Sequence, residues 1–269
     1  MRALLTLKLA ILTAAILVGG QAFAESVRAH SYSEVRERLL AMELVIFDLD
    51  STLVRSERMF GSDGWFDREV EANLRRDLTR TQARKEAEAL SDRIQSTIRY
   101  ELIEPSIATL IHDLQAKGVT VMILTARREP QKIGALRALR ETGLDFRKTA
   151  PELREAGGLL YVNGVLFANG EKKGPVLDRF LRAAGLAPRS IAFVDDKLYN
   201  LNSLLPVLRE VAPEFLVIHY TGADEYNARF SRDVSEYQKS EFLAGRAIPG
   251  DVDALLMVRA GGLCRTVFN

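Results

Sequence analysis

One pattern restricts the fold more than any other. Four short apolar runs, Leu44–Phe47, Val119–Leu124, Ile191–Val194 and Phe215–Ile218, recur along the chain. They are rich in branched aliphatic residues and do not alternate with polar ones, as strands covered on both faces must read. Helical patterns lie between them. After Pro105, Ile107, Leu110, Ile111 and Leu114 recur at i, i+3, i+4 and i+7, and Gly118 stops the run. After Pro175, Val176, Leu177, Phe180 and Leu181 do the same before Gly185. Strands alternating with helices predict an α/β fold, a parallel sheet with helices on both faces.

Two segments depart from the alternation. Residues from Asp67 to Leu102 are charged and read as helical, with apolar positions at Val70, Leu74, Leu78, Ala87, Leu90, Ile94 and Ile98. They form an insert between the first and second of the four runs. Leu159–Val162 and Val165–Ala168, joined by Asn163-Gly164, predict a β-hairpin, because Asn-Gly suits a type I′ turn. Beyond Tyr220, Tyr226–Leu243 reads as an amphipathic helix followed by a Pro-Gly break.

The N-terminus reads as a processing signal. Arg2 and Lys8 precede the uncharged run Leu9–Val18, a Gly-Gly break and Ala22-Phe23-Ala24, the n-region, h-region and A-x-A pattern of a secretory signal peptide. The run is shorter than the roughly 20 residues a bilayer-spanning helix needs. Residues 1–24 are therefore expected to be removed and the chain exported, periplasmic or secreted, without stable membrane insertion. The net charge is +1, and without Arg2 and Lys8 there are 35 basic against 36 acidic residues. So even a balance gives no basis for nucleic-acid binding. Cys264 is the only cysteine, which excludes an intrachain disulfide and a cysteine-based zinc site.

Chemistry concentrates at the ends of the apolar runs. Val45-Ile-Phe leads directly into Asp48-Leu-Asp50-Ser51-Thr52. Ligands of open parallel sheets bind at the carboxyl ends of the strands, and carboxylates two residues apart allow one to attack while the other handles a proton. Hydroxyl side chains in the turn leave backbone N–H groups free to meet an anion. A second pair, Asp195-Asp196, ends Ile191–Val194, and Thr125 ends Val119–Leu124. Parallel strands bring these ends to one edge. Two unit charges 4 Å apart there repel by about 4 kcal/mol at an effective dielectric of 20. A divalent cation relieves that repulsion, and all-oxygen ligands favour Mg²⁺. A calcium loop is excluded because its sixth position is Leu53 rather than Gly. An Asp-x-Asp glycosyltransferase motif does not require the other residues in this order.

In that order the residues resemble the four motifs of the haloacid dehalogenase (HAD) superfamily: Asp48-Leu-Asp50-Ser51-Thr52, then Thr125, then Lys172 or Lys173, then Asp195-Asp196. Lys173 is favoured because it precedes Gly174. Gly61–Phe66 and Phe193–Asn200 are similar to those of a group of exported bacterial members with a helical cap. The resemblance implies an HAD-like Rossmannoid core over 25–53 and 105–269 and a cap over 54–104, inserted between motifs one and two and closing over the site as a lid. It also implies a phosphatase acting on a small phosphorylated substrate through an aspartyl-phosphate. Asp48 would be the nucleophile and Asp50 the general acid/base. Thr125, Lys173, Ser51 and Thr52 would bind the phosphoryl group, and Asp48, Asp50, Asp195 and Asp196 would hold Mg²⁺. A phosphotransferase, or a binding or effector protein without turnover, keeps the same residues. Arg127 reads as a solvated residue at a helix start in preference to a partner of a site acid. Trp65 and Phe66 read as core packing in preference to substrate contacts. Asn200 reads equally as a surface residue or as a hydrogen-bond partner of Asp196.

Overall fold

The computed structural model describes residues 24–153 and 157–267. The hydrophobic segment read as a signal peptide and the Cys264 side chain lie outside that description. The strands are β1 (Ala24–Ala29), β2 (Leu44–Phe47), β3 (Val54–Ser56), β4 (Tyr100–Leu102), β5 (Thr120–Thr125), β6 (Leu160–Val162), β7 (Val165–Phe167), β8 (Ser190–Asp195) and β9 (Glu214–Tyr220). The helices are α1 (Arg36–Leu39), α2 (Asp63–Leu74), α3 (Arg80–Ile94), α4 (Ser106–Ala116), α5 (Lys132–Glu141), α6 (Lys173–Ala183), α7 (Leu198–Val211), α8 (Asp224–Ala228), α9 (Arg232–Leu243) and α10 (Asp251–Val267).

Seven strands form one sheet in the order β1-β9-β8-β2-β5-β7-β6. Every neighbouring pair is parallel except β6–β7. The central strands are apolar on both sides because each side carries its own core. Val45, Phe47, Val121, Ile123 and Val194 pack with Leu110, Ile111 and Leu114 of α4. Leu44, Ile46, Met122, Leu124 and Phe193 pack with Val176, Leu177 and Phe180 of α6 and Leu201, Leu204 and Leu208 of α7. The fold is α/β, with helices on both faces of a mostly parallel sheet. Asn163 and Gly164 both have positive φ, 53° and 81°, as the β6–β7 turn requires.

Several elements differ from the sequence reading. The insert does not stay helical to Leu102: α2 and α3 are separate, and Tyr100–Leu102 is strand β4, antiparallel to β3. Such three-residue strands are too short to show a period. Strand β1 was not anticipated; it pairs with β9 from Ala24↔Phe215 onward. The expected helix over Tyr226–Leu243 is divided into α8 and α9, with Ser231 capping α9 through its side chain. Helix α6 begins at Lys173, before Pro175.

The insert is anchored on two sides, not hung from β3 and β4 alone. On one side Lys239 of α9 pairs with Glu69 of α2 at 2.6 Å, and Phe60 N–H donates to Gln238 Oε1 at 2.9 Å. On the other side Arg128 pairs with Asp92 of α3 at 2.7 Å, while Arg137 of α5 donates to the carbonyls of Ser96 and Ile98. These ties join the insert to α9 on one side and to the α5 side of the core on the other.

Gly174 permits one close approach on which the site depends. A Cβ there would overlap the Ser203 carbonyl oxygen of α7, so α6 and α7 pack closely only without a side chain at this position. Gly174→Ala is expected to destabilise the fold by about 1–3 kcal/mol through overpacking, measured by denaturant unfolding.

Candidate active site

Register determines which side chains meet. Phe47 is paired with Val194 on one side and with Ile123 on the other. The residue after Phe47, Asp48, therefore lies beside Asp195 and near Thr125, each the last residue of its strand. Asp48, Asp195 and Thr125 are all buried. Lys173 enters from the first turn of α6. Its Nζ donates to Asp48 Oδ1 at 2.5 Å and to Asp195 Oδ2 at 2.6 Å, with its side chain only 1% exposed. Lys172, the alternative, is exposed and occupies the N-cap position of α6 without a side-chain capping bond.

The turn after β2 is tight. Asp48 N–H donates to the Val194 carbonyl at 2.8 Å, and Ser51 N–H donates to the Val54 carbonyl at 2.9 Å. Ser51 has φ of 57°, a left-handed conformation uncommon outside glycine. Its hydroxyl donates to Asp63 of α2 at 2.8 Å. Thr52 Oγ1 donates to Asp48 Oδ2 at 3.4 Å. The hydroxyls of Ser51 and Thr52 thus both have carboxylate partners.

Electrostatics follow from burial. Carboxylate oxygens of Asp48, Asp195 and Asp196 lie within 4.8 Å of one another, the one such group among the described residues. Burial raises the Asp48 pKa well above the usual carboxylate range; Lys173 works against that rise, and Asp195 and Asp196 add to it. Burial also pushes Asp196 up to about 7, with Asp63 adding to the rise. Burial works against the Lys173 charge, but Asp195 and Asp48 more than offset it and hold the ammonium protonated. With neighbouring Asp63, four carboxylates face two ammoniums, Lys173 and Lys197, which leaves an excess of negative charge, and every donor is oxygen. That set fits a hard divalent cation.

Arg127 is the main correction at the site. It is 5% exposed, and its Nε and Nη2 donate to the two carboxylate oxygens of Asp50 at 2.8 and 2.7 Å. Its guanidinium carbon also lies 4.9 Å from the centre of the Tyr100 ring of β4. Nothing in the spacing of Thr125 and Arg127 identifies this pair, because Asp50 is 77 residues away. Asn200, in the first turn of α7, donates to both oxygens of Asp195 at 3.0 Å, not to Asp196. Trp65 is buried against Phe60, as expected of core packing, yet it also lines the cavity. Asp63 and Lys197 were given no role of their own by the sequence reading; Lys197 bridges Asp63 and Asp196.

Asp48, Asp50, Thr125 and Asp196 open onto one cavity of about 230 Å³, walled on the insert side by Trp65 and Asp67. Its size suits a small ligand, and it brings a paired carboxylate, a carboxylate cluster and a hydroxyl to one space.

A family model described as "Protein of unknown function (DUF2608)" matches residues 28–244. A protein of Chlamydia trachomatis serovar D, described as "Putative outer membrane protein", is 26% identical over 203 residues, spanning 72% of this chain and 75% of that protein. A Chlamydia pneumoniae protein with the same leading description is 24% identical over 196 residues, with the same coverage. Among solved structures, a haloacid dehalogenase-like family hydrolase of Streptococcus pneumoniae aligns with a TM-score of 0.40 and 15% identity, covering 71% of this chain and 99% of that one. The family match runs from Arg28 to Ala244, across most of the sequence, and the chain belongs to the DUF2608 family.

Proposed function

We propose that the protein is an exported, Mg²⁺-dependent phosphatase of the HAD type, acting on a small phosphomonoester through an aspartyl-phosphate. One observation carries the reading: Lys173 Nζ lies between Asp48 and Asp195 at 2.5 and 2.6 Å, and Asp48 lines the same cavity as the Asp50–Arg127 pair. These contacts support the reading, because such chemistry demands near-contact of the reacting groups.

Each residue has a task in this reading. An Asp48 oxygen forms the bond to phosphorus as the ester P–O bond breaks in line with it. Asp50 hands a proton to the departing alcohol and recovers one from the water that later cleaves the aspartyl-phosphate, regenerating Asp48. Arg127 fixes Asp50 by two hydrogen bonds, so its carboxyl group meets the leaving oxygen in one orientation. Lys173 and Thr125 offset the charge that spreads over the phosphoryl oxygens. Ser51 and Thr52 act chiefly through their backbone, their hydroxyls being engaged by Asp63 and Asp48. Asp48, Asp195 and Asp196, with the Asp50 carbonyl, would hold the cation, whose charge neutralises the carboxylates and the phosphoryl oxygens.

Export rests on the N-terminal signal pattern and agrees with the description of the chlamydial relatives. Among the described residues no helix is long and apolar enough to cross a membrane. The same geometry admits phosphotransfer to an alcohol, or phosphoryl-ligand binding without turnover.

Hydrolysis of an aryl phosphate by the purified protein tests the reading. Turnover is expected with MgCl₂, and it should vanish with EDTA and in Asp48→Asn; binding of a phosphate analogue without turnover would favour the non-catalytic alternative. Asp50→Asn is expected to lower the rate by about 10²–10⁴ while calorimetry still detects the cation; full retention would remove Asp50 from proton transfer. Lys173→Met leaves two buried carboxylates without their ammonium and should destabilise the fold by about 3–5 kcal/mol. Excess MgCl₂ should recover part of that loss in a thermal melt.

A further inference from the structure

One carboxylate of the insert reaches the core loops beside the cation cluster. Asp63, the first residue of α2, accepts from Ser51 Oγ at 2.8 Å and pairs with Lys197 Nζ at 3.3 Å. The same Nζ lies 2.9 Å from Asp196 Oδ2. One ammonium is therefore shared between the insert and a member of the carboxylate cluster. Lys197 is also held from behind, since its backbone N–H donates to Asp195 Oδ1 at 2.8 Å. Its side chain remains 35% exposed, against 7% for Asp196, so Nζ has room to move while Asp196 does not.

We propose that Asp63 and Lys197 are positioning residues that couple cation binding to the seating of α2. Lys197 is the counter-charge of Asp196, and it passes wholly to Asp63 when a divalent cation takes that carboxylate. An ammonium and a divalent cation on one carboxylate repel each other, and the flexible lysine stem lets Nζ yield. Asp63 is already its second partner, so the exchange requires no new contact. A tighter Asp63–Lys197 pair draws in the first turn of α2, which carries the cavity residue Trp65. By linkage, whatever holds Lys197 on Asp63 favours the cation to the same degree. This inference rests on the metal-assisted reading above.

Trp65 is the only tryptophan of the chain and stands two residues after Asp63, packed 5.0 Å from the Phe60 ring. Its emission therefore reports on this turn. The full chain is titrated with MgCl₂ by calorimetry while Trp65 emission is followed. In the wild type the emission change and the heat should share one midpoint. Lys197→Met removes the competitor and is expected to raise Mg²⁺ affinity about fivefold or more, whereas Asp63→Asn lowers it by a similar factor and abolishes the emission change. In the Lys197→Met background Asp63→Asn should shift affinity less than about twofold, because Asp63 acts only through Lys197. Plain electrostatics would instead make the two substitutions additive. Additivity, or an unaltered emission response in Asp63→Asn, overturns the coupling and leaves the cation site standing. Absence of saturable Mg²⁺ binding by the wild type overturns the metal-assisted reading and this inference with it.

Discussion

The Lys173 ammonium, enclosed between Asp48 and Asp195, is the interaction on which the centre of the molecule depends. A parallel sheet collects the ends of its strands at one edge, and here two neighbouring ends carry carboxylates. Buried carboxylates tolerate such proximity only with a counter-charge at hydrogen-bond distance. Lys173 supplies it from the first turn of α6, and Gly174 lets that turn press against α7. The charge at the centre and the packing behind it are thus one problem solved by adjacent residues. The arrangement is also incomplete as a charge balance, because Asp196 belongs to the same cluster, Lys173 does not touch it, and its own partner Lys197 is shared with Asp63. That excess is the physical basis for expecting a cation.

The insert illustrates how context alters the meaning of a helical pair. Its two helices are polar on one side and carry small or apolar residues such as Ala83, Ala87 and Ile94 on the other. Taken alone, they suit a mobile cover. In the fold they are tied to α9 by the buried Lys239–Glu69 pair and to the α5 side by Arg128 and Arg137. The C-terminal helices, whose role is not readable from their composition, are what hold α2 in place. The insert meets the cavity through side chains at its edge, Asp63 and Trp65 among them.

Much of the fold was legible in the sequence. The four apolar runs became β2, β5, β8 and β9 with boundaries differing by a residue or two, because strands covered on both faces have no polar positions to disguise them. The Asn163-Gly164 hairpin followed from backbone sterics alone. The three-residue strands β3 and β4 and the edge strand β1 were not legible, since they are defined by hydrogen bonds to distant partners rather than by a period. At the site, Asp48, Thr125, Lys173 and Asp195 were legible as types at strand or helix ends. Arg127 and Asn200 were legible only as alternatives to a surface role, and the roles of Asp63 and Lys197 were not legible, because each acts through a carboxylate that the chain brings close only on folding.

By itself the sequence determined the architecture and the identity of the carboxylates, because alternating apolar runs and helices admit few arrangements and a parallel sheet aligns its strand ends. Only the tertiary structure decided which charges face which. It chose Lys173 over Lys172, turned Arg127 inward onto Asp50, and joined the insert to the cluster through Lys197 and Asp63. The reason is range. Backbone preferences act over a few residues and leave a local trace in the sequence, whereas ion pairs form between groups such as Asp50 and Arg127, 77 positions apart, whose meeting is determined by the packing of everything between them.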